Sequence, residues 1–295
     1  MAVAEASPSA APRSGAGGSD RGFRPEVQGL RALAVLMVVS YHIWFGRVSG
    51  GVDIFLLISA FLLSLSFLRK VESGKPLDLA RHWLHQFKRL LPAVVVVIIG
   101  VLGASYVLVP QSRWPDIIDQ SWASLFYVQN WVLASNAVDY YADDHSLASP
   151  LQHFWSLSVQ GQVFILWPLL FLASALLARR FRLKVRGVVL LVFGVVFVAS
   201  LGFSIWETYT NQAYAYFDTR ARLWEFALGT LLALALPFIR LPRFVRVVVG
   251  WVGVAAMLSA GFLLDVQGQF PGYVALWPLV AAALVIVAGQ TRRLP

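Results

Sequence analysis

The chain has 295 residues, of which 58% are hydrophobic and only 13% charged, and its mean hydropathy is +0.69. Soluble domains carry about 25% charged residues, so a water-soluble globule is excluded and a single integral membrane domain is expected. The net charge of +9 does not point to nucleic acid, because the basic residues cluster between apolar runs without an aromatic–basic groove pattern, and the lack of cysteine excludes disulfides, thiolate metal sites and a cysteine nucleophile.

Residues 1–23 are rich in Ala, Ser, Gly and Pro without an apolar core, which predicts a disordered cytoplasmic tail rather than a signal peptide. Apolar spans then follow near 27–46, 50–68, 90–109, 158–178, 187–206, 221–238, 247–264 and 273–289. They predict an all-α fold, a polytopic transmembrane helix bundle with about eight spans in residues 24–295. Every second connection is basic: Arg69 to Arg89, Arg179 to Arg186, Arg240 to Arg246, then Arg292 and Arg293. Positive loops stay on the cytoplasmic side, which sets the N-terminus inside a cell (inner or plasma) membrane and the Asp- and Glu-bearing loops outside. The stretch Trp114 to Leu133 resembles a span, but Asp116, Asp119, Gln120 and Asn130 argue against a lipid-facing crossing, so Pro110 to Leu157 is expected outside, re-entrant or interfacial.

The first span carries two costly side chains, Arg31 and His42. A guanidinium at that depth costs at least ~2.5 kcal/mol unless paired or hydrated. Eleven helical positions return almost to the starting angle, so the two residues are expected on one face, ~16 Å apart, lining a polar cavity. The topology sorts the other polar groups into an inner layer of Arg31 and Arg89 and an outer group of His42, Asp53, His153, Gln160, Gln162, Arg220, Arg222 and Glu225, joined by one polar path. Inner guanidiniums suit a phosphate-bearing cytosolic ligand, and a neutral imidazole can take a proton from a hydroxyl.

These residues fall into ordered blocks. Gly29-Leu30-Arg31 through Tyr41-His42 resembles the Arg-x10-His signature of the acyltransferase family 3 membrane proteins, bacterial O-acyltransferases that modify surface glycans. Gly51-Val52-Asp53-Ile54-Phe55 with Ser59 and Phe61-Leu62, then Arg89-Leu90-Leu91-Pro92, resemble its next two motifs. His153 to Val159, and Tyr216 to Thr219 through Arg222-Leu223-Trp224-Glu225 with Gly229, resemble its later blocks. The resemblance implies transfer of an acyl group, commonly acetyl, from cytosolic acyl-CoA to a hydroxyl of an extracytoplasmic glycan or glycolipid. It implies His42 as base or acyl relay with Glu225 in the catalytic set. Arg31, Arg89, Asp53, His153, Trp155, Ser158, Gln160 and Arg222 are implied as donor- or substrate-binding residues. Acyl-CoA would be a substrate, with no permanently bound cofactor, no metal and no nucleic acid partner.

The chain differs from the family pattern at Gln160-Gly161, where two glutamates are usual, at Ala60, where glycine is usual, and in stopping at Pro295, before the family's last helices. Other readings remain open on the residues alone. Arg31 can snorkel, His42 can sit in an aromatic belt, Asp53 can anchor its helix, and Arg220 can be a surface charge. A transporter or flippase would use the same polar path, and a catalytically silent subunit would fit Gln160-Gly161. His82 and His85 lack a third metal ligand and are expected in a solvated loop, and Asp143-Asp144-His145 in a hydrated one.

Overall fold

A computed structural model of the chain describes residues 24–45, 50–136, 149–263 and 269–290, without the side chains of His42, Phe45 and residues 261–263. The expected tail, the Asp143-Asp144-His145 stretch and the terminal Arg292 and Arg293 lie outside the described residues. Every regular element among those described is helical. Among the described residues six helices are long and apolar enough to cross a membrane, and Tyr273–Ala288 is a shorter apolar one.

Pro25 opens α1 (Pro25–Ser40) at a position where its missing N–H costs nothing, and Glu26 sits in the positively polarised first turn. The first span is not one uninterrupted α-helix. Its last residues, Tyr41–Phe45, form a π turn, and Tyr41 donates through its hydroxyl to the Leu258 carbonyl at 3.2 Å. Gly50, at φ 69°, turns the chain into α2 (Gly51–Glu72), and a Cβ there would stand 2.6 Å from Pro278.

The third span is longer than the apolar run suggests. Asp78 accepts the Arg81 amide at 3.0 Å and starts α3 (Leu79–Leu108) eleven residues before the expected boundary at 90. His82 and His85 are therefore helical, not in a loop, and the His82 ring packs edge-on against Phe67, centroids 5.0 Å apart. A helix cap and an amphipathic first half outweigh the charge that makes this segment look like a connection.

The Trp114 to Leu133 stretch is broken into α4 (Trp114–Leu125) and α5 (Gln129–Ser135), with Tyr127 between them at φ 59°. Of the polar residues that count against a lipid-facing crossing, Asn130 is fully buried together with Gln129, Gln120 is half-buried, and Asp116 and Asp119 stay exposed on α4. Then come α6 (Phe154–Arg180), α7 (Val185–Thr210), the short α8 (Gln212–Phe217), α9 (Thr219–Ala235), α10 (Arg243–Leu263) and α11 (Leu276–Ala288).

The bundle is organised around α2 and α9, about two-thirds buried over their apolar windows, whereas α3 and α10 present most of their surface outward. In a hydrocarbon solvent, apolar burial gives little drive, so close packing and interhelical hydrogen bonds hold the helices together. Gly229 of α9 supplies the first: a Cβ there would collide with the Leu57 carbonyl and stand 3.0 Å from the Phe61 amide of α2. Thr230 supplies the second, accepting from Ser64 of α2 at 2.8 Å and from the Trp167 indole of α6 at 2.9 Å. Around them Phe67, Phe171, Phe193, Trp167 and Phe226 interlock with centroid spacings of 5.0–5.6 Å.

Candidate active site

A cleft of about 530 Å³ opens between α1 and α3, with α2 and α6 as its floor. Arg31, Val35, Val38 and Val39 of α1 form one wall and Gln86 and Arg89 of α3 the other; Val52, Phe55, Ser59 and Leu62 of α2 and Ser156, Gln160 and Phe164 of α6 lie between. From Arg31 to Val39 the wall rises by ~12 Å along the helix axis. At that far end it reaches the turn whose backbone carries His42, and Val52 and Ser156 sit at the first turns of their helices.

Two features of the lining decide its chemistry. Its polar members are Arg31, Ser59, Gln86, Arg89, Ser156 and Gln160, with no carboxylate among them. Two cations and four neutral groups make a donor-rich strip in an apolar slot, which favours an extended ligand with acceptor oxygens and negative charge. In addition, Gln160 donates through Nε2 to Ser59 Oγ at 2.6 Å across the floor, while Arg31 donates through Nη1 to Gln28 Oε1 at 3.3 Å.

The structure thus brings Arg31 and Arg89, of the expected inner layer, to one cleft with Gln160, of the expected outer group, and among the described residues it does not continue them into one polar path. Asp53, Arg222 and Glu225 form a separate closed cluster. The Arg222 guanidinium, 1% exposed, donates through Nη1 to Asp53 at 2.5 Å and to Glu225 at 3.0 Å, and through Nε and Nη2 to the Tyr216 carbonyl at 3.2 and 3.1 Å. It lies over the rings of Tyr216 and Trp155, 4.8 and 5.0 Å from their centroids. The three-residue spacing of Arg222 and Glu225 on one helix makes their contact legible in the sequence. Asp53 lies outside the cleft lining and ties α2 to α9, because its place in the first turn of α2 points it into the bundle.

The other expected residues divide similarly. Trp155 is buried against Tyr216 and Phe217 at 5.0 and 5.9 Å and walls the Arg222 cluster. Ser158 is buried and accepts the Gln129 amide at 3.2 Å, anchoring α5. His153 is exposed just before α6. Gln162 faces away from the cleft, donating to the Tyr127 carbonyl and Asn130, each at 2.9 Å, and accepting from Thr219 at 2.6 Å. The side chain of His42, and with it the expected shared face with Arg31, lies outside the described residues; its backbone lies in the π turn that follows Ser40.

Sequence reading alone passes over Ser59, Gln86 and Ser156 as cleft residues. The signal for Gln86 is its i,i+3 relation to Arg89, which becomes usable only once α3 is known to start at Leu79. The glycine at 161 also acquires a physical reason. A Cβ there would collide with the Tyr127 ring, which fills the space beside α6. The Tyr127 hydroxyl is buried without a partner among the described residues, and burial pushes its pKa above the usual phenol value.

Comparison with known proteins gives a consistent result. A family model described as an acyltransferase domain matches residues 24–295. The chain is 32% identical over 246 residues to the peptidoglycan O-acetyltransferase OatA of Listeria monocytogenes, covering 81% of this chain and 39% of that protein. It is 30% identical over 281 residues to the O-acetyltransferase OatA of Staphylococcus aureus, covering 90% of this chain and 45% of that one. The chain therefore spans less than half the length of the curated relatives it matches. No solved structure matches it.

Proposed function

Because the chain belongs to acyltransferase family 3, and is a multi-pass membrane protein of that family, we propose that it transfers an acetyl group from cytosolic acetyl-CoA to a hydroxyl of an extracytoplasmic glycan. The observation that carries this reading is the cleft. It joins two guanidiniums to a narrow, mostly apolar slot that ends beside the His42 turn. The names of the relatives, O-acetyltransferases acting on peptidoglycan in one case, support a cell-wall glycan as the acceptor.

In this reading the N-terminus is cytoplasmic, following the positive loops. Arg31 and Arg89 bind the CoA phosphates, each guanidinium offering paired hydrogen bonds. The pantetheine arm lies along the slot past Ser59 and Gln160, and the valine-rich walls keep water from the thioester. At the far end His42 accepts the proton of the glycan hydroxyl as its oxygen attacks the thioester carbonyl. The C–S bond then breaks, the acetyl group remains on the glycan oxygen, and the proton passes to the departing thiolate, giving CoA-SH. A two-step variant, with the acetyl group resting on the imidazole, uses the same atoms.

Arg31→Ala and Arg89→Ala test the donor assignment. Losing a hydrogen bond to a charged group costs about 1.5–3 kcal/mol, so each variant is expected to raise KM for acetyl-CoA about tenfold or more. The measurement is ester-linked label transferred from radiolabelled acetyl-CoA in membranes carrying the chain. An unchanged KM in both variants would remove the phosphates from this end of the cleft.

A further inference from the structure

Away from the cleft, the helix ends at the His42 side of the bundle carry a second polar group. Because α6 and α7 form an antiparallel pair and Asp53 of α2 meets Arg222 of α9, the last turn of α7 and the first turn of α9 lie at the end where α2 and α6 begin. There Trp206 packs on Phe203 at 5.7 Å, Phe203 lies 5.0 Å from the Arg220 guanidinium, and Arg220 lies 5.9 Å from the Trp131 ring. The result is a strip of aromatic, aromatic, cation, aromatic, with Trp206 60% exposed and the Arg220 side chain 59% exposed.

Arg220 is fixed, not trailing in solvent. Its Nε and Nη2 donate to Asp218 at 2.9 and 2.6 Å, and neither bond uses Nη1. Beside it, 3.9 Å from Nη2, lies the carboxylate of Glu207, whose side chain is only 8% exposed. Glu207 Oε2 is buried beside the Asp218 carboxyl and accepts no hydrogen bond from an N–H among the described residues; Thr208 Oγ1, one residue on, is also buried without a partner among them and lies beside Gly272. Buried oxygens of this kind are costly to leave unmet, and the Glu207 carboxylate beside an ordered guanidinium, on an aromatic strip, points to a ligand rich in hydroxyls. With Asp218 and Glu207 beside it, the single cation leaves no net positive charge to attract an anionic ligand. Aromatic faces with fixed donors and acceptors between them suit the alternating C–H faces and hydroxyl edges of a sugar chain.

We propose that this strip is a remote subsite for the acceptor glycan, holding sugar units beyond the one that receives the acetyl group; this rests on the glycan acyltransferase reading above. The strip is linked to the α6 floor of the cleft through Trp131, whose indole donates to Gln162 at 3.3 Å, two residues from Gln160. An extended glycan engages both places, and a monosaccharide only the reactive one.

The test uses the full chain in nanodiscs and chitooligosaccharides of increasing length as probes, with affinity read by titration calorimetry in the absence of acetyl-CoA. Affinity is expected to rise with length in the wild type, and Arg220→Ala to lose about tenfold for the longest oligomer. Trp131→Phe, which keeps an aromatic face but gives up the indole bond to Gln162, is expected to retain most of that affinity. In acetyl transfer, the ratio of kcat/KM for long over short acceptors falls in Arg220→Ala by the same factor. Affinity that ignores length, or that ignores Arg220 in a folded variant, overturns the subsite and leaves the strip as an interfacial aromatic belt. Length- and Arg220-dependent binding without any acetyl transfer by the wild type would instead overturn the acyltransferase reading and leave the sugar site standing.

Discussion

Arg222→Met is expected to remove most of the folded protein, with a destabilisation of about 3–5 kcal/mol, the range for breaking a buried ion pair by deleting one partner. Its guanidinium is the shared partner of Asp53, Glu225 and the Tyr216 carbonyl, all at 2.5–3.2 Å. Without it two carboxylates remain in the interior beside a carbonyl that has lost both side-chain donors. Natural domains hold only about 5–15 kcal/mol of net stability, so the loss is large in proportion. It is read as the yield of monodisperse protein in detergent and as the midpoint of thermal unfolding. Replacing Asp53 by Asn and Glu225 by Gln in the same chain should restore part of the loss, because the neutral amides no longer need the cation. A stable Arg222→Met chain with full activity would show that the cluster does not hold α2 to α9.

The second large effect is on the chemistry. His42→Ala is expected to lower acetyl transfer by about 10²–10⁴, the usual contribution of a positioned general base. Binding of acetyl-CoA should change little, because the donor's phosphates are assigned to Arg31 and Arg89 at the other end of the cleft. The split between kcat and KM is therefore informative: a kcat loss fits a base or acyl relay, whereas a KM rise with kcat retained fits a residue that merely lines the path.

Much of this architecture is legible in residue order because a membrane imposes simple conditions. Apolar runs of sufficient length, and Gln120 and Asn130 counting against a lipid-facing crossing, place most helices close to where they are found. The misplacements have identifiable causes. The start of α3 hides behind Arg81, His82, His85 and Lys88, charges that read as a loop until Asp78 is seen capping a helix. The π turn after Ser40 has no sequence signal, so the uninterrupted α spacing assumed from Arg31 ends two residues short of His42.

The site is half legible for a similar reason. Arg222 and Glu225 meet because they are three apart, whereas Asp53 meets Arg222 across 169 positions and only packing can reveal it. The polar residues of the helices look alike in a sequence, yet the bundle sends Arg31, Arg89 and Gln160 to an open cleft, Asp53, Arg222 and Glu225 to a sealed cluster, and Gln162 to the joint with α5. Gly161, a departure from the family's usual glutamate, makes sense only beside the Tyr127 ring that occupies its space.

The most direct test of the whole account is sidedness. The chain is reconstituted in sealed proteoliposomes, sorted so that the N-terminus faces inward, with radiolabelled acetyl-CoA enclosed and an impermeant glycan acceptor supplied outside. Ester-linked label is expected on the outer glycan, and His42→Ala is expected to abolish it in vesicles that hold equal amounts of folded protein. Label that stays with the enclosed donor in the wild type, or that reaches the glycan equally in His42→Ala, would overturn transfer across the membrane through His42.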